Sequence, residues 1–218
     1  MDQKFILVTV DGGAATGKST TSRAVSEALN LLHVDTGAHY RTLTKLLLDL
    51  GISSKSDKAI VEGLQNVTLE TVIEGRSAFL AVNGQRPGDT DIRSEEVNAQ
   101  VSLFAQIPAV RNKLKQYQRS QKDIAEDFAF SGLIMEGRDI GSVIFPEAPH
   151  RFFLFADSTT RTQRRAAEGL KDSIIERDKT DSNRKTAPLT CPQGAIEINT
   201  GNLSIQKVVE RITRTIGK

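Results

Sequence analysis

An apolar run, Phe5-Ile6-Leu7-Val8-Thr9-Val10, leads into Gly12-Gly13-Ala14-Ala15-Thr16-Gly17-Lys18-Ser19, and a helix-compatible stretch over residues 20–32 follows. The central segment has the form G-x-x-x-x-G-K-S. This succession of strand, glycine-rich loop and helix constrains the fold more than any bulk property. It is the opening unit of a parallel α/β sheet, with the loop at the carboxyl end of a buried strand. The glycines let the backbone curl around a polyphosphate, its N–H groups turned inward at the positive end of the helix. Lys18 then reaches the β- and γ-phosphates, and the Ser19 hydroxyl can ligate Mg²⁺. Gly12, Gly13, Ala14, Ala15, Thr16, Gly17, Lys18, Ser19 and Thr20 are therefore read as a nucleoside triphosphate site.

The rest of the chain supports the same class. Short apolar runs at residues 5–10, 31–34, 133–135, 152–155 and 195–198 alternate with helical stretches, which predicts a five-stranded parallel sheet flanked by helices. Ser204 is a good N-cap for a last helix, with Ile205, Val208, Val209, Ile212 and Ile216 on one face. The middle breaks the alternation. Residues 67–72 and 79–82 read as strands of period two, with turns at Gly75 and Asn83-Gly84, and so form a small antiparallel insert. A helical stretch at 94–121 is interrupted at Pro108. The chain is thus one domain over 1–218 with two excursions, one at 36–109 and an Arg-rich one at 161–184.

Bulk properties exclude more than they assign. The 218 residues carry a net charge of +2, which gives no argument for a nucleic-acid or membrane partner. There is no Trp, so a stacking surface for single strands has little to build on. Cys191 is the only cysteine, in keeping with a reducing compartment. Residues 1–4 lack the basic start of a secretion signal, and no apolar stretch reaches spanning length. A cytoplasmic monomer is expected.

Other constellations fall at strand ends, where ligands gather in open parallel sheets. Asp35 ends the second strand and either organises Mg²⁺ or caps the next helix. Arg41, one helical turn after Thr36-Gly37, is either a phosphate clamp or a surface arginine. Glu136-Gly137-Arg138-Asp139 ends the third strand. Charges there are costly unless they line a site, which favours a functional Arg138 and Asp139 over a structural ion pair. Arg177, Asp181 and Arg184 have helical spacing and would share one face, as a site or as an ion-pair ladder. Arg161, Arg164 and Arg165 likewise overlap on one face. His33, His39 and His150 have no metal-ligand spacing and receive no role. No N-K-x-D block is present, which excludes a guanine-reading switch.

Taken together these residues resemble the bacterial cytidylate kinases along nearly the whole chain. The resemblance rests on Asp11-Gly12 with Gly17-Lys18-Ser19-Thr20, Asp35-Thr36-Gly37-Ala38 with Tyr40-Arg41, and Asp91-Ile92-Arg93-Ser94-Glu95-Glu96-Val97. It continues through Ile107-Pro108-Ala109-Val110-Arg111, Glu136-Gly137-Arg138-Asp139-Ile140-Gly141, Val143-Ile144-Phe145-Pro146, Arg177-Asp178, Asp181, Asn183-Arg184 and Ala187-Pro188-Leu189. It implies a P-loop kinase with an acceptor-binding insert and a short lid, which passes the γ-phosphate of ATP, with Mg²⁺, to CMP or dCMP. Lys18, Asp35, Arg41, Arg138, Arg161 and Arg165 would then serve transfer, with Ser19 and Asp35 toward the metal. Residues matching Thr36, Arg41 and Arg138 hold the acceptor phosphate in that family. Those matching Ser102, Arg111, Asp139 and Arg184 face the cytosine, and those matching Arg177 and Asp181 address the sugar. Two departures stand out: Thr36 replaces a common Ser, and the stretch between Arg165 and Arg177 is shorter than in long-lid members. A kinase of the same fold for another small acceptor and a silent nucleotide-binding module are the alternatives. The intact Lys18-Ser19 argues against the latter.

Overall fold

The computed structural model describes residues 5–167 and 174–217. In chain order the elements are β1 (Ile6–Gly12), α1 (Lys18–Leu29), β2 (Leu31–Asp35), α2 (Thr36–Asp49), α3 (Asp57–Gln65), β3 (Leu69–Glu74), β4 (Ser77–Val82), α4 (Glu95–Phe104), α5 (Pro108–Asp127), β5 (Gly132–Gly137), β6 (His150–Phe155), α6 (Ser158–Ala167), α7 (Ile174–Ser182), β7 (Ile196–Asn199) and α8 (Ile205–Ile216). One sheet of order β3-β4-β2-β5-β1-β6-β7 runs through the molecule.

The five strands expected from the apolar runs are present and parallel: β2-β5-β1-β6-β7. The sheet nevertheless has seven strands rather than five. The antiparallel hairpin β3–β4 is no separate excursion. Its strand β4 pairs parallel with β2, and the His33 N–H donates to Arg76 O at 2.7 Å. That pairing occupies backbone groups that β2 would otherwise leave open as an edge strand.

All six residues of β5 are buried, because helices cover both faces of the parallel centre. On one face Val8, Val10, Leu31, Ile134 and Phe152 pack with Val25 of α1 and with Val208 and Ile212 of α8. On the other, Leu7, Leu32, Val34, Leu133 and Met135 meet Ala125 of α5. A third cluster, with Leu43, Leu47, Ile60, Leu80, Phe104 and Leu114, ties the hairpin to α2–α5.

The expected Ser204 cap is in place, and Ser94 caps a further helix. Ser204 accepts from Lys207 N, Ser94 accepts from Val97 N, and Pro108 opens α5, so the stretch at 94–121 is two helices. The shared face expected for Arg177, Asp181 and Arg184 is not formed: α7 ends at Ser182 and Arg184 lies beyond it. Residues 168–173, the middle of the expected short lid, lie outside the described residues. No helix among the described residues is long and apolar enough to cross a membrane.

Candidate active site

The strand order places the ends of β1, β5 and β2 side by side, with Asp11 opposite Gly137 and Asp35 opposite Glu136. Three sequence blocks far apart in the chain therefore open into one cavity of about 720 Å³. Within the loop, Gly12 has φ +150°, and a Cβ there would lie 2.1 Å from Leu154 O, so only glycine fits. Gly17, at φ 86°, turns the chain into α1. The buried Lys18 Nζ donates to Gly12 O at 2.9 Å and Gly13 O at 2.7 Å. Burial lowers its pKa to about 7, helped by the Arg138 charge and opposed by Glu136, Asp178 and Asp35.

Ser19 Oγ donates to Glu136 Oε2 at 2.9 Å. Asp35 takes the capping alternative: Oδ1 accepts from Ala38 N at 3.2 Å, while Oδ2 accepts from Arg93 at 3.3 Å. Its pKa is lowered: burial acts against ionisation, and the charges of Arg41, Arg93 and His33 outweigh it. Thr36 Oγ1 donates to Glu136 O at 2.8 Å. The carboxylate touching Ser19 is thus Glu136, which the sequence reading noticed only as part of a charged triplet. The available signal was its position as the last side chain of an entirely apolar strand.

Across the cavity, Arg111 donates to Asp139 Oδ2, and the pair is 7% and 5% exposed at the side chains. Asp181 Oδ1 accepts from Ser102 Oγ at 3.0 Å and from Arg184, while Oδ2 accepts from Arg138 Nε at 2.9 Å. Arg41 Nε donates to Asn98 Oδ1 at 3.3 Å. Arg41 is buried, not a surface arginine. Burial lowers its pKa to about 9, and Arg177, Arg93 and Arg138 push the same way. Arg41, Arg138, Arg177 and Lys18 line the same cavity, where positive side chains outnumber the carboxylates and favour an anionic ligand. Thr36, Ser102, Asp139, Asp181 and Arg184 line it too. His39 is buried with neither ring nitrogen paired among the described residues, and burial holds its pKa near 4, so it is a neutral core residue.

The three clustered arginines of α6 reach three different partners. Arg161 donates to Ala14 O at 3.2 Å and to Asp178, whose Oδ1 accepts from Ala14 N at 2.9 Å. Arg164 instead donates to Thr200 Oγ1 at 3.1 Å and Thr200 O at 2.7 Å, and Thr200 Oγ1 donates to Thr16 O at 2.9 Å. Arg165 lines the cavity. Arg164→Ala is therefore expected to cost stability, about 1–3 kcal/mol for the stranded partners. Arg165→Ala is expected to lower kcat by about 10²-fold or more through lost charge neutralisation. Denaturant titration beside steady-state kinetics checks the split. A pair of variants with the two effects exchanged would refute it.

Asp11 is a further group without a role in the sequence reading. It is wholly buried, and its oxygens accept from Ile140 N and Gly141 N, each at 2.7 Å. The end of β1 thereby holds the turn that follows Arg138-Asp139. Burial raises the Asp11 pKa to about 6, partly offset by those two backbone donors. A carboxyl whose folded pKa exceeds its unfolded value binds its proton more readily when folded. Its ionisation therefore costs stability as pH rises from about 4 to 6. Asp11→Asn removes this dependence at the expense of one accepted hydrogen bond. Thermal midpoints of parent and variant from pH 4 to 7 are expected to shift in favour of the variant as pH rises, and parallel curves would show the assignment to be wrong.

The sequence signature of the family described as cytidylate kinase matches residues 8–218. A cytidylate kinase of Geobacillus sp. (strain WCH70) is 37% identical over 224 residues, covering 98% of this chain and 97% of that protein. One from Limosilactobacillus reuteri (strain DSM 20016) is 36% identical over 227 residues, covering 99% and 96%. Among solved structures, an uncharacterised protein from Eubacterium ventriosum ATCC 27560 gives a TM-score of 0.51 at 12% identity, covering 98% of this chain and 99% of that one. That likeness concerns the fold alone.

Proposed function

This chain belongs to the cytidylate kinase family, whose members pass the γ-phosphate of ATP to CMP or dCMP, and we propose that the cavity at the ends of β1, β5 and β2 houses both substrates. The observation that supports this reading is the meeting, in one cavity, of the glycine-rich loop with Asp139, whose carboxylate the buried Arg111 holds from outside the lining, and with the Asp181 cluster. Residues 12–20 receive the ATP phosphates. Arg41, Arg138 and Thr36 hold the acceptor phosphate, and Arg177 and Asp181 meet the sugar. Ser102, Arg111, Asp139 and Arg184 read the base: a carboxylate accepts from cytosine N4, and a guanidinium donates to N3 and O2.

Phosphoryl transfer needs position and charge neutralisation more than covalent chemistry. A phosphate monoester has a second pKa of about 6, so at neutral pH the attacking oxygen has already lost its proton. No general base is required of the chain. Lys18, Arg161 and Arg165 approach from the donor side, and Arg41 and Arg138 from the acceptor side. Closure of the 161–184 lid and the insert at 36–109 would exclude water and favour the acceptor over hydrolysis.

Ser19 and Glu136 present hard oxygen donors 2.9 Å apart, a set that fits Mg²⁺, and Asp35, opposite Glu136 in the sheet, lines the same cavity. Among the described residues no group of three or more His, Cys, Asp or Glu forms a metal cage. Such a site suits an ion that keeps waters and phosphate oxygens among its ligands. When bound, Mg²⁺ supplies charge neutralisation on the polyphosphate. The reading takes residues 1–218 as one kinase domain, a cytoplasmic monomer acting on free nucleotides, and size-exclusion chromatography checks the monomer. The decisive experiment is a coupled ADP-release assay with ATP and Mg²⁺ across CMP, dCMP, UMP, AMP, GMP and dTMP. Equal turnover of purine and cytosine monophosphates would defeat the base assignment.

A further inference from the structure

His33 has no metal-ligand spacing in the sequence, yet the fold places it beside the candidate site. It is 2% exposed, in the middle of β2. Its neighbours Leu32 and Val34 pack into the core on one face of the sheet, so by strand alternation its side chain points to the other, with Leu31 and Asp35. Its backbone is fixed on both sides, opposite Ile134 of β5 and Ser77 of β4. From that rigid base, Nε2 lies 2.8 Å from Glu136 Oε1. A carboxylate only accepts, so Nε2 is the donor. The other oxygen, Oε2, accepts from Ser19 Oγ at 2.9 Å. A continuous chain His33–Glu136–Ser19 therefore runs from a central strand to the first turn of α1.

The chemistry of the position singles out this contact. The residues flanking His33 in β2 are apolar, and Glu136 itself is 1% exposed. A leucine at position 33 would fill the same space but leave Oε1 buried with no donor from this side, and the carboxylate would turn to find one. A histidine is stiff, with two side-chain torsions, and holds the carboxylate plane from behind.

We propose that His33 is a positioning residue for phosphoryl transfer. It orients Glu136 so that the second carboxylate oxygen stays on Ser19, the pair of oxygens presented to magnesium nucleotide. The proposal rests on the reading of Ser19 and Glu136 given above. Outer partners of metal-binding carboxylates typically change metal affinity or activity by about 10–100-fold.

The test uses His33→Leu, which fills the space without a donor, and His33→Gln, which restores one. Calorimetry of ADP binding with and without Mg²⁺ provides a readout apart from turnover. His33→Leu is expected to lose most of the Mg²⁺-dependent gain in ADP affinity while its metal-free ADP affinity stays within about twofold of the parent. In kinetics, the Mg²⁺ concentration for half-maximal rate is expected to rise by about 10-fold or more, with KM for CMP unchanged. His33→Gln is expected to recover most of both. Should His33→Leu fail to fold, His33→Asn, polar but too short to reach Oε1, takes its place with the same expectation. Parent-like Mg²⁺ dependence in the donor-less variant overturns the proposal, as does an equal loss in His33→Gln. Glu136→Gln separates the two levels of inference. A normal Glu136→Gln would remove the Ser19–Glu136 site itself, whereas an impaired Glu136→Gln beside a normal His33→Leu removes only the role of His33.

Discussion

Lys18→Ala is expected to lower kcat/KM for ATP and CMP by about 10³-fold or more, close to 4 kcal/mol of transition-state stabilisation. Lys18 is 8% exposed, its ammonium held against the Gly12 and Gly13 carbonyls of the loop that would wrap the phosphates. The fold should tolerate the loss. Gly12 stays paired with Leu154 of β6, and α1 stays packed through Val25. Removing a desolvated charge also removes its burial penalty. The thermal midpoint without nucleotide is therefore expected to remain within a few degrees of the parent, with ATP protection abolished. Turnover within a factor of ten of the parent would take the triphosphate away from this loop.

The second large effect belongs to the base pocket. Asp139→Ala strands the Arg111 guanidinium, which is 7% exposed at its side chain and keeps its bond to Ala105 O at 3.2 Å and its place over the Tyr40 ring, but no carboxylate partner among the described residues. Breaking one side of a buried pair typically costs about 3–5 kcal/mol. The expected result is a marked fall in thermal stability together with a loss of about 10²–10⁴-fold in kcat/KM for CMP. Asp139→Asn separates the two. It keeps the volume and one acceptor but adds a donor, so it should fold better and narrow the gap between CMP and UMP. Measuring kcat/KM for both nucleotides on both variants decides the matter. An Asp139→Asn enzyme with the parent's ratio would place the cytosine elsewhere.

Much of this site was legible because its chemistry is local in sequence. The glycine loop must have Gly at positions of positive φ and tight approach, and it must follow a strand and precede a helix, so one short segment carries the whole pattern. The placing of Arg138 and Asp139 on the cavity wall was visible for a related reason: charges at the end of an apolar strand are costly unless they line a site. Spacing alone says nothing of where a long side chain ends. Arg161, Arg164 and Arg165 have helical spacing and share one side of α6, but their long side chains part, one toward Ala14, one toward Thr200 and one toward the cavity. Arg184 has the right spacing from Asp181 yet lies past the end of α7, and reaches the same carboxylate from the following loop.

The sequence by itself determined the class of fold, the five parallel strands, the helix caps and the triphosphate loop. Each of these depends on the period of apolar residues or on backbone torsions within a few neighbours. Only the tertiary structure decided which carboxylate serves Ser19, what Asp11 holds and where His33 points. Those pairings join residues about a hundred or more positions apart, through the order in which β1, β5 and β2 lie in the sheet. The same ordering made the hairpin an extension of the sheet. Hydrogen-bond partners across a parallel sheet are fixed by strand neighbours and register, and neither leaves a mark on the residues themselves.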